Sequence, residues 1–176
     1  MGSMLTRAID EAGFSELRQR LLAGEALGDS ELERLRTADL LVVAGLADQV
    51  REHFRGDEVR LIASEHPEDP GLEVFDARAE VATGADVLRE IALLRLRTPG
   101  ERALGVSLDA LGVELAQTAL VFGADVLFGD LAGKRTLPLI DGPDARRNEL
   151  TGLIERSGRS VLFDAALRGS SVEQRS

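Results

Sequence analysis

No cysteine occurs in the 176 residues. Disulfides, thiolate nucleophiles, zinc–thiolate sites and cysteine-held iron–sulfur clusters are therefore excluded, since each needs the sulfur. Tyrosine and tryptophan are missing too, which leaves six phenylalanines as the whole aromatic complement and makes base-stacking platforms scarce. Lysine occurs once, as Lys134, against 20 arginines among 21 basic residues; that skew reads as coding bias. The longest nearly uncharged run, residues 103–129, is interrupted by Asp109, Glu114 and Asp125, so no bilayer-spanning segment is expected. The opening Met-Gly-Ser-Met reads as a cloning scar before a native Met4, and the helix behind it lacks the flanks of a signal peptide. A cytoplasmic protein is expected.

Acidic residues outnumber basic ones by 31 to 21, a net charge of −10. Such a surface repels phosphate backbones and argues against nucleic-acid binding. The length suits one domain with a real core, and 44% of the residues are apolar.

The chain is organised around residues 108–130. Leu108, Leu111, Leu115, Ala119 and Phe122 recur at helical spacing, Gly123 breaks the run, and Ala124 to Phe128 is short and apolar enough to be a buried strand. Before it, Leu5 to Leu22 reads as a modest amphipathic helix with a weak point at Gly13-Phe14. Ser30 and Glu33 have the spacing of a capping box and predict a short helix. Leu40, Val43, Ala44, Ala47, Val50 and Phe54 predict a longer helix ending at Gly56. Val59 to Ala63 is the first strand candidate, His66 to Gly71 a proline-bearing loop and Leu72 to Ala77 a short strand. Thr83 with Asp86 can cap a helix whose buried face is Val87, Leu88, Ile91 and Leu94. Leu104 to Ser107 is a further strand. Leu131 to Pro143 reads as irregular, Asp144 as the cap of a final helix carrying Leu150, Leu153 and Ile154, and Ser160 to Phe163 as a last strand. The divisions are therefore an N-terminal helical segment over 5–56, an α/β core over 57–167 and a disordered polar tail over 168–176. The helix–strand alternation predicts parallel β/α units.

Few residues carry evident chemistry. His53 and His66 have neither H-x-H nor H-x-x-x-H spacing; His53 reads as a surface or packing residue, whereas His66 sits in an acidic loop where a carboxylate can raise its pKa. Asp125 begins a strand and Asp130 follows its end. Ligands of parallel α/β folds bind at the C-terminal strand ends, which favours Asp130, against the ordinary reading of Gly-Asp as turn chemistry. Gln117, in mid-helix, is either a solvent residue or a buried hydrogen-bonding one. Neither a G-x-S-x-G elbow, a P-loop nor a G-x-G-x-x-G turn is present.

Four blocks carry a resemblance. Residues 31–57, with Leu41, Gly45, Ala47, Val50, Arg51, Gly56 and Asp57, are similar to the L-L-x-L-G-x-x-A-x-x-V-R helix and Gly-Asp loop of the radical S-adenosylmethionine enzymes of menaquinone and deazaflavin synthesis. That family includes aminofutalosine synthase, the cyclic dehypoxanthine futalosine cyclase and the FO synthases. Residues 83–96 resemble its T-T-G-x-x-x-L-x-x-x-A-x-x-R-L helix, residues 108–130 its L-G-x-x-x-A-Q-x-A-L-x-x-G-A-D-D-L-D-G-T segment, and residues 153–159 its L-I-x-x-A-G-R helix. Together the blocks span about two thirds of the chain in the family's order.

The departures matter equally. The family's C-x-x-x-C-x-x-C motif should follow residues 59–64, where this chain has His66-Pro67 and no cysteine. Val126, Phe128 and Asp130 stand where the family carries Asp, Asp and Thr. The resemblance therefore implies a (β/α) barrel whose middle strands and iron–sulfur cluster have been lost, and with them reductive cleavage of S-adenosylmethionine. The expected fold is an open α/β remnant of four to five short, mainly parallel strands with flanking helices. Its edges must be paired or covered, so a homodimer or a complex with an active radical enzyme is expected. The implied role is a non-catalytic, cofactor-free pseudoenzyme in futalosine-type menaquinone synthesis. The alternative is a small-molecule-binding protein or cofactor-independent enzyme using Asp125 and Asp130, with Gln117 and His66 as further candidate ligand-binding residues.

Overall fold

The computed structural model describes residues 2–77, 83–97, 99–100, 102–131 and 145–163. Five strands form one sheet in the order β2-β3-β4-β1-β5, and every neighbouring pair is parallel. They are β1 (Glu58–Ile62), β2 (Leu72–Val74), β3 (Ala103–Ser107), β4 (Val126–Phe128) and β5 (Ser160–Phe163). The expected α/β class and strand number hold; β2 and β4 are shorter than their apolar runs.

Four helices precede the sheet. The run from Leu5 to Leu22 is two helices, α1 (Gly2–Glu11) and α2 (Ser15–Leu22), because Gly13 turns the chain at φ 79°. In α3 (Asp29–Thr37) the cap position is Gly28, whose amide donates to the Glu31 carboxylate at 2.9 Å. The capping box expected at Ser30 and Glu33 is thus displaced: Glu31 occupies the third helical position and supplies the reciprocal half alone. Helix α4 (Leu40–Arg55) follows the expected periodicity, with the Asp39 carboxylate accepting from the amides of Leu41 and Val42 and Gly56 ending it at φ 68°.

Between strands lie α5 (Gly84–Arg97), α6 (Leu108–Leu111), α7 (Val113–Ala119), a 3-10 turn at Leu120–Phe122, and α8 (Ala145–Arg156). Thr83 caps α5 as expected, its hydroxyl accepting from the Asp86 amide at 3.2 Å. The single helix expected from Leu108 to Phe122 is broken at Gly112, φ 75°, between α6 and α7. The helical spacing of Leu108, Leu111, Leu115 and Ala119 continues across that break, which is why periodicity alone does not reveal it. The expectations of irregular structure over 131–143, apart from Leu131, of a cap at Asp144 and of a disordered tail over 168–176 lie outside the described residues.

The two faces of the sheet differ. Val59, Leu61, Leu104, Val106 and Leu127 point into one large core that also takes Ile9, Leu21, Leu35, Leu46, Ile91, Leu108, Ala116, Leu150 and Ile154, so each of α1–α8 contributes a buried residue to that side. The N-terminal helices share this core with the α/β portion. Ile62, Ala103, Val126 and Phe128 point the other way and form a small cluster, with Leu72 against it, to which no described helix contributes. Packing is tight where α1 crosses α4: a Cβ on Gly45 would lie 2.6 Å from Leu5 Cδ1.

The loop from β1 to β2 returns along the helix-free side, where Arg60 donates to the Asp69 carboxylate at 3.0 Å and Asp69 also accepts from the Gly71 amide at 2.8 Å. The Gly71 amide first, and then Arg60, hold the Asp69 carboxyl below its ordinary range. Between the folded value and the unfolded value of about 3.9, the unfolded chain binds the proton more readily, so stability rises with pH there. Asp69 thus contributes fully above about pH 4 and progressively less as acid titrates its folded form. Chemical denaturation of Asp69→Asn against the parent should show a shallower loss of stability below that pH; parallel curves would remove Asp69 from the account.

Candidate functional site

The polar side chains divide between the two ends of the sheet. At the N-terminal ends of the strands, Asp125 is buried, 2% exposed, directly before β4. Its Oδ2 accepts from Arg55 Nε at 2.8 Å, and its Oδ1 accepts from Arg95 Nη2 at 2.9 Å and from the Leu104 amide at 2.6 Å. Its own backbone joins β3 and β1, the amide donating to the Leu104 carbonyl and the carbonyl accepting from the Arg60 amide. One residue therefore ties together the last turn of α4, the last turn of α5 and three strands.

Arg95 is equally committed. Nε donates to the Gly123 carbonyl at 2.7 Å and Nη1 to the Arg102 carbonyl at 2.8 Å. Burial lowers its pKa from the ordinary guanidinium value, and the attraction of Asp125 opposes that change. Gly123 is required beside it: its φ is 97°, and a Cβ there would stand 2.8 Å from Arg95 Cγ.

A second pair of arginines repeats the arrangement around Asp48. Arg51 Nε and Arg159 Nη2 donate to its Oδ1 at 3.0 and 2.7 Å. Arg51 also donates to the Gly56 carbonyl, and Arg159 to that of Leu120 at 2.8 Å. Desolvation, and then repulsion from Arg51, lower the Arg159 pKa. Four guanidiniums face two carboxylates here, and the carbonyls they meet belong to the ends of α4, of the α7 and 3-10 segment, and of the loops into β3 and β4. Helix C-termini carry partial negative charge, which accounts for the surplus of cations. The arrangement fastens helices to strands. Its signal in the sequence is arginine in the last turns of α4 and α5 and directly after Gly158, a pattern hidden by the general abundance of arginine.

The other candidates lie elsewhere. Asp130 is half-buried just beyond the C-terminal end of β4, where its amide donates to the Asp109 carboxylate at 2.9 Å. The turn depends on Gly129, φ 138°, at which a Cβ would meet Asp109 Oδ2 at 2.5 Å. His66 is exposed in the loop leaving the same end of β1, its amide donating to the Ser64 hydroxyl at 3.2 Å. Since β1 and β4 are neighbours, His66 and Asp130 share one end of the sheet. Gln117 is half-buried on α7, whose buried residues are Ala116 and Ala119. His53 is exposed, its ring edge-on to Phe54 at 4.7 Å.

Asp125 and Asp130 are not brought together. The three residues of β4 stand between them, roughly 10 Å of strand at about 3.3 Å per residue. Asp125 is a buried ion-pair centre and Asp130 belongs to the loop end, so the two cannot act as an acid–base pair on one substrate. Among the described residues, no group of three or more His, Asp or Glu side chains is placed to hold a metal ion. No helix among them is long and apolar enough to cross a membrane.

Comparison with family models, curated proteins and solved structures gives no match to this chain.

Removing one partner of a buried ion pair strands the other charge, at a cost of about 3–5 kcal/mol. Asp125→Ala should therefore lower the unfolding free energy by that amount in urea denaturation. Asp109→Ala, which removes the acceptor of the Asp130 amide in an exposed turn, should cost about 1 kcal/mol. Equal costs for the two substitutions would show that Asp125 is no more than a turn residue.

Proposed function

We propose that this chain is a non-catalytic relative of the radical S-adenosylmethionine enzymes of menaquinone and deazaflavin synthesis, acting as a binding or scaffold partner of such an enzyme in the futalosine route. The observation that carries this reading is the layout of the sheet. Described helices contribute to one face only, and β4, the strand of the block that resembles the family's late segment, pairs in parallel with β1. In a closed (β/α) barrel the last strand lies beside the first and helices cover the outside alone; in a doubly wound sheet helices cover both faces. The pairing of β1 with β4 and with β5, the last described strand, supports a barrel shortened in its middle.

The chemistry fits a binding role better than turnover. Cysteine ligands for an iron–sulfur cluster are absent from the sequence. The best-defined polar cluster serves the N-terminal ends of the strands, where residues of (β/α) folds act in stability, whereas activity resides at the C-terminal ends. The use of Asp125 and Asp130 as paired carboxylates is not carried forward, given their separation along β4. What the C-terminal end offers is Asp130, Asp109 and His66, a polar rim fitted to contact a partner.

The decisive experiment mixes the purified chain with the radical enzymes of futalosine-type menaquinone synthesis from the same source. A co-eluting complex on gel filtration, together with a changed melting temperature or turnover of the partner enzyme, is expected. Separate elution with unchanged activity and stability of every such enzyme would overturn the proposal.

A further inference from the structure

Among the described residues, the two edges of the sheet are built differently. β2 is guarded: Glu73 lies within it, Pro70 precedes it and Asp76 follows it, the kinds of residue that discourage pairing with another chain. β5 reads Ser-Val-Leu-Phe, with neither charge nor proline. Its inner side is paired with β1, the Ser160 amide donating to the Asp57 carbonyl at 3.2 Å. Backbone groups alternate in direction along a strand. With Ser160 and Leu162 turned to β1, the amides and carbonyls of Val161 and Phe163 point away from the sheet. Leu162 sits between them, 45% exposed, one of few large apolar side chains in water among the described residues.

We propose that β5 pairs with β5 of a second copy, antiparallel, about a two-fold axis through Leu162, joining two five-stranded sheets into one of ten strands. The register follows from the directions of the backbone groups. Val161 of one copy faces Phe163 of the other, and each such pair exchanges two hydrogen bonds, so four form across the axis. Leu162 then faces Leu162 of the second copy as the pair without mutual hydrogen bonds, in which side chains approach most closely. The exposed leucine is covered by its own counterpart.

A second copy suits this edge better than a different protein. A strand without charge selects no partner of opposite sign, and a two-fold contact is self-complementary by construction. β5 itself carries none of the net charge of −10, the residues directly flanking it in sequence, Arg159 and Asp164, are of opposite sign, and at physiological salt repulsion fades beyond about 8 Å. The inference needs no kinship with any enzyme family and does not use the loop end with Asp130 and His66, so it stands or falls separately from the proposed function.

The lack of cysteine makes the test direct, because Leu162→Cys introduces a single thiol. In the pair without mutual hydrogen bonds the Cα atoms lie about 4.5 Å apart, within disulfide range. Mild oxidation should convert Leu162→Cys almost wholly to a covalent dimer, while Val74→Cys, on the guarded edge and comparably exposed, should remain largely uncoupled. Light scattering should give the unmodified chain twice the 18.9 kDa protomer mass. Leu162→Lys, a change at an exposed position, should reduce it to the protomer mass with its folded circular-dichroism spectrum intact. A protomer mass for the unmodified chain at all accessible concentrations, a dimer that survives Leu162→Lys, or equal coupling of the two cysteine variants would each overturn the proposal.

Discussion

The structure depends on how one buried carboxylate is shared. Asp125 receives two guanidiniums and a backbone amide while its own peptide groups bond to β3 and β1. A charge 2% exposed is tolerable only when its lone pairs are filled and opposite charge is close. Those conditions fix the last turn of α4, the last turn of α5 and the start of β4 together, and the Asp48 cluster does the same for the start of β5. Helix ends need their carbonyls satisfied in any case, so the arginines serve the helices and the carboxylates at once. The consequence for function is a division of the molecule: an N-terminal end of the sheet tied by buried ion pairs, and a C-terminal end whose loops carry His66, Asp109 and Asp130.

Much of the fold was legible in the sequence because local signals agreed with one another. The apolar series of α4 and Gly56 point to one helix with a defined C-terminal end, and the helix is found there, with Asp39 capping its start. Thr83 and Asp86 do likewise for the start of α5. The parallel sheet follows from helix–strand alternation, which leaves little topological choice. Where the signals were weaker the outcome moved. Glu31 caps α3 from a glycine because an amide and a carboxylate suffice for half a capping box, and Gly112 interrupts a helix whose apolar spacing runs on across it.

The candidate site was legible only in part. Asp125 was singled out from its turn, yet its partners lie 30 and 70 residues away in sequence, and no local spacing reports such a contact. The arginines that neutralise it were obscured by the uniform use of arginine throughout the chain. The strand order was equally hidden: that β1 lies between β4 and β5, rather than beside β2, is a product of long-range packing. Edge β5, by contrast, is recognisable once the order is known, because four uncharged residues at a sheet margin are conspicuous against a chain in which 30% of residues are charged.

The most direct measurement of the central claim is a double-mutant cycle between Asp125 and Arg95, using Asp125→Asn, Arg95→Met and the combined variant in urea denaturation. If Asp125 holds helix to sheet through this contact, the double variant should be more stable than the sum of the single losses predicts, with a coupling energy above about 1 kcal/mol. Strictly additive losses would contradict the account.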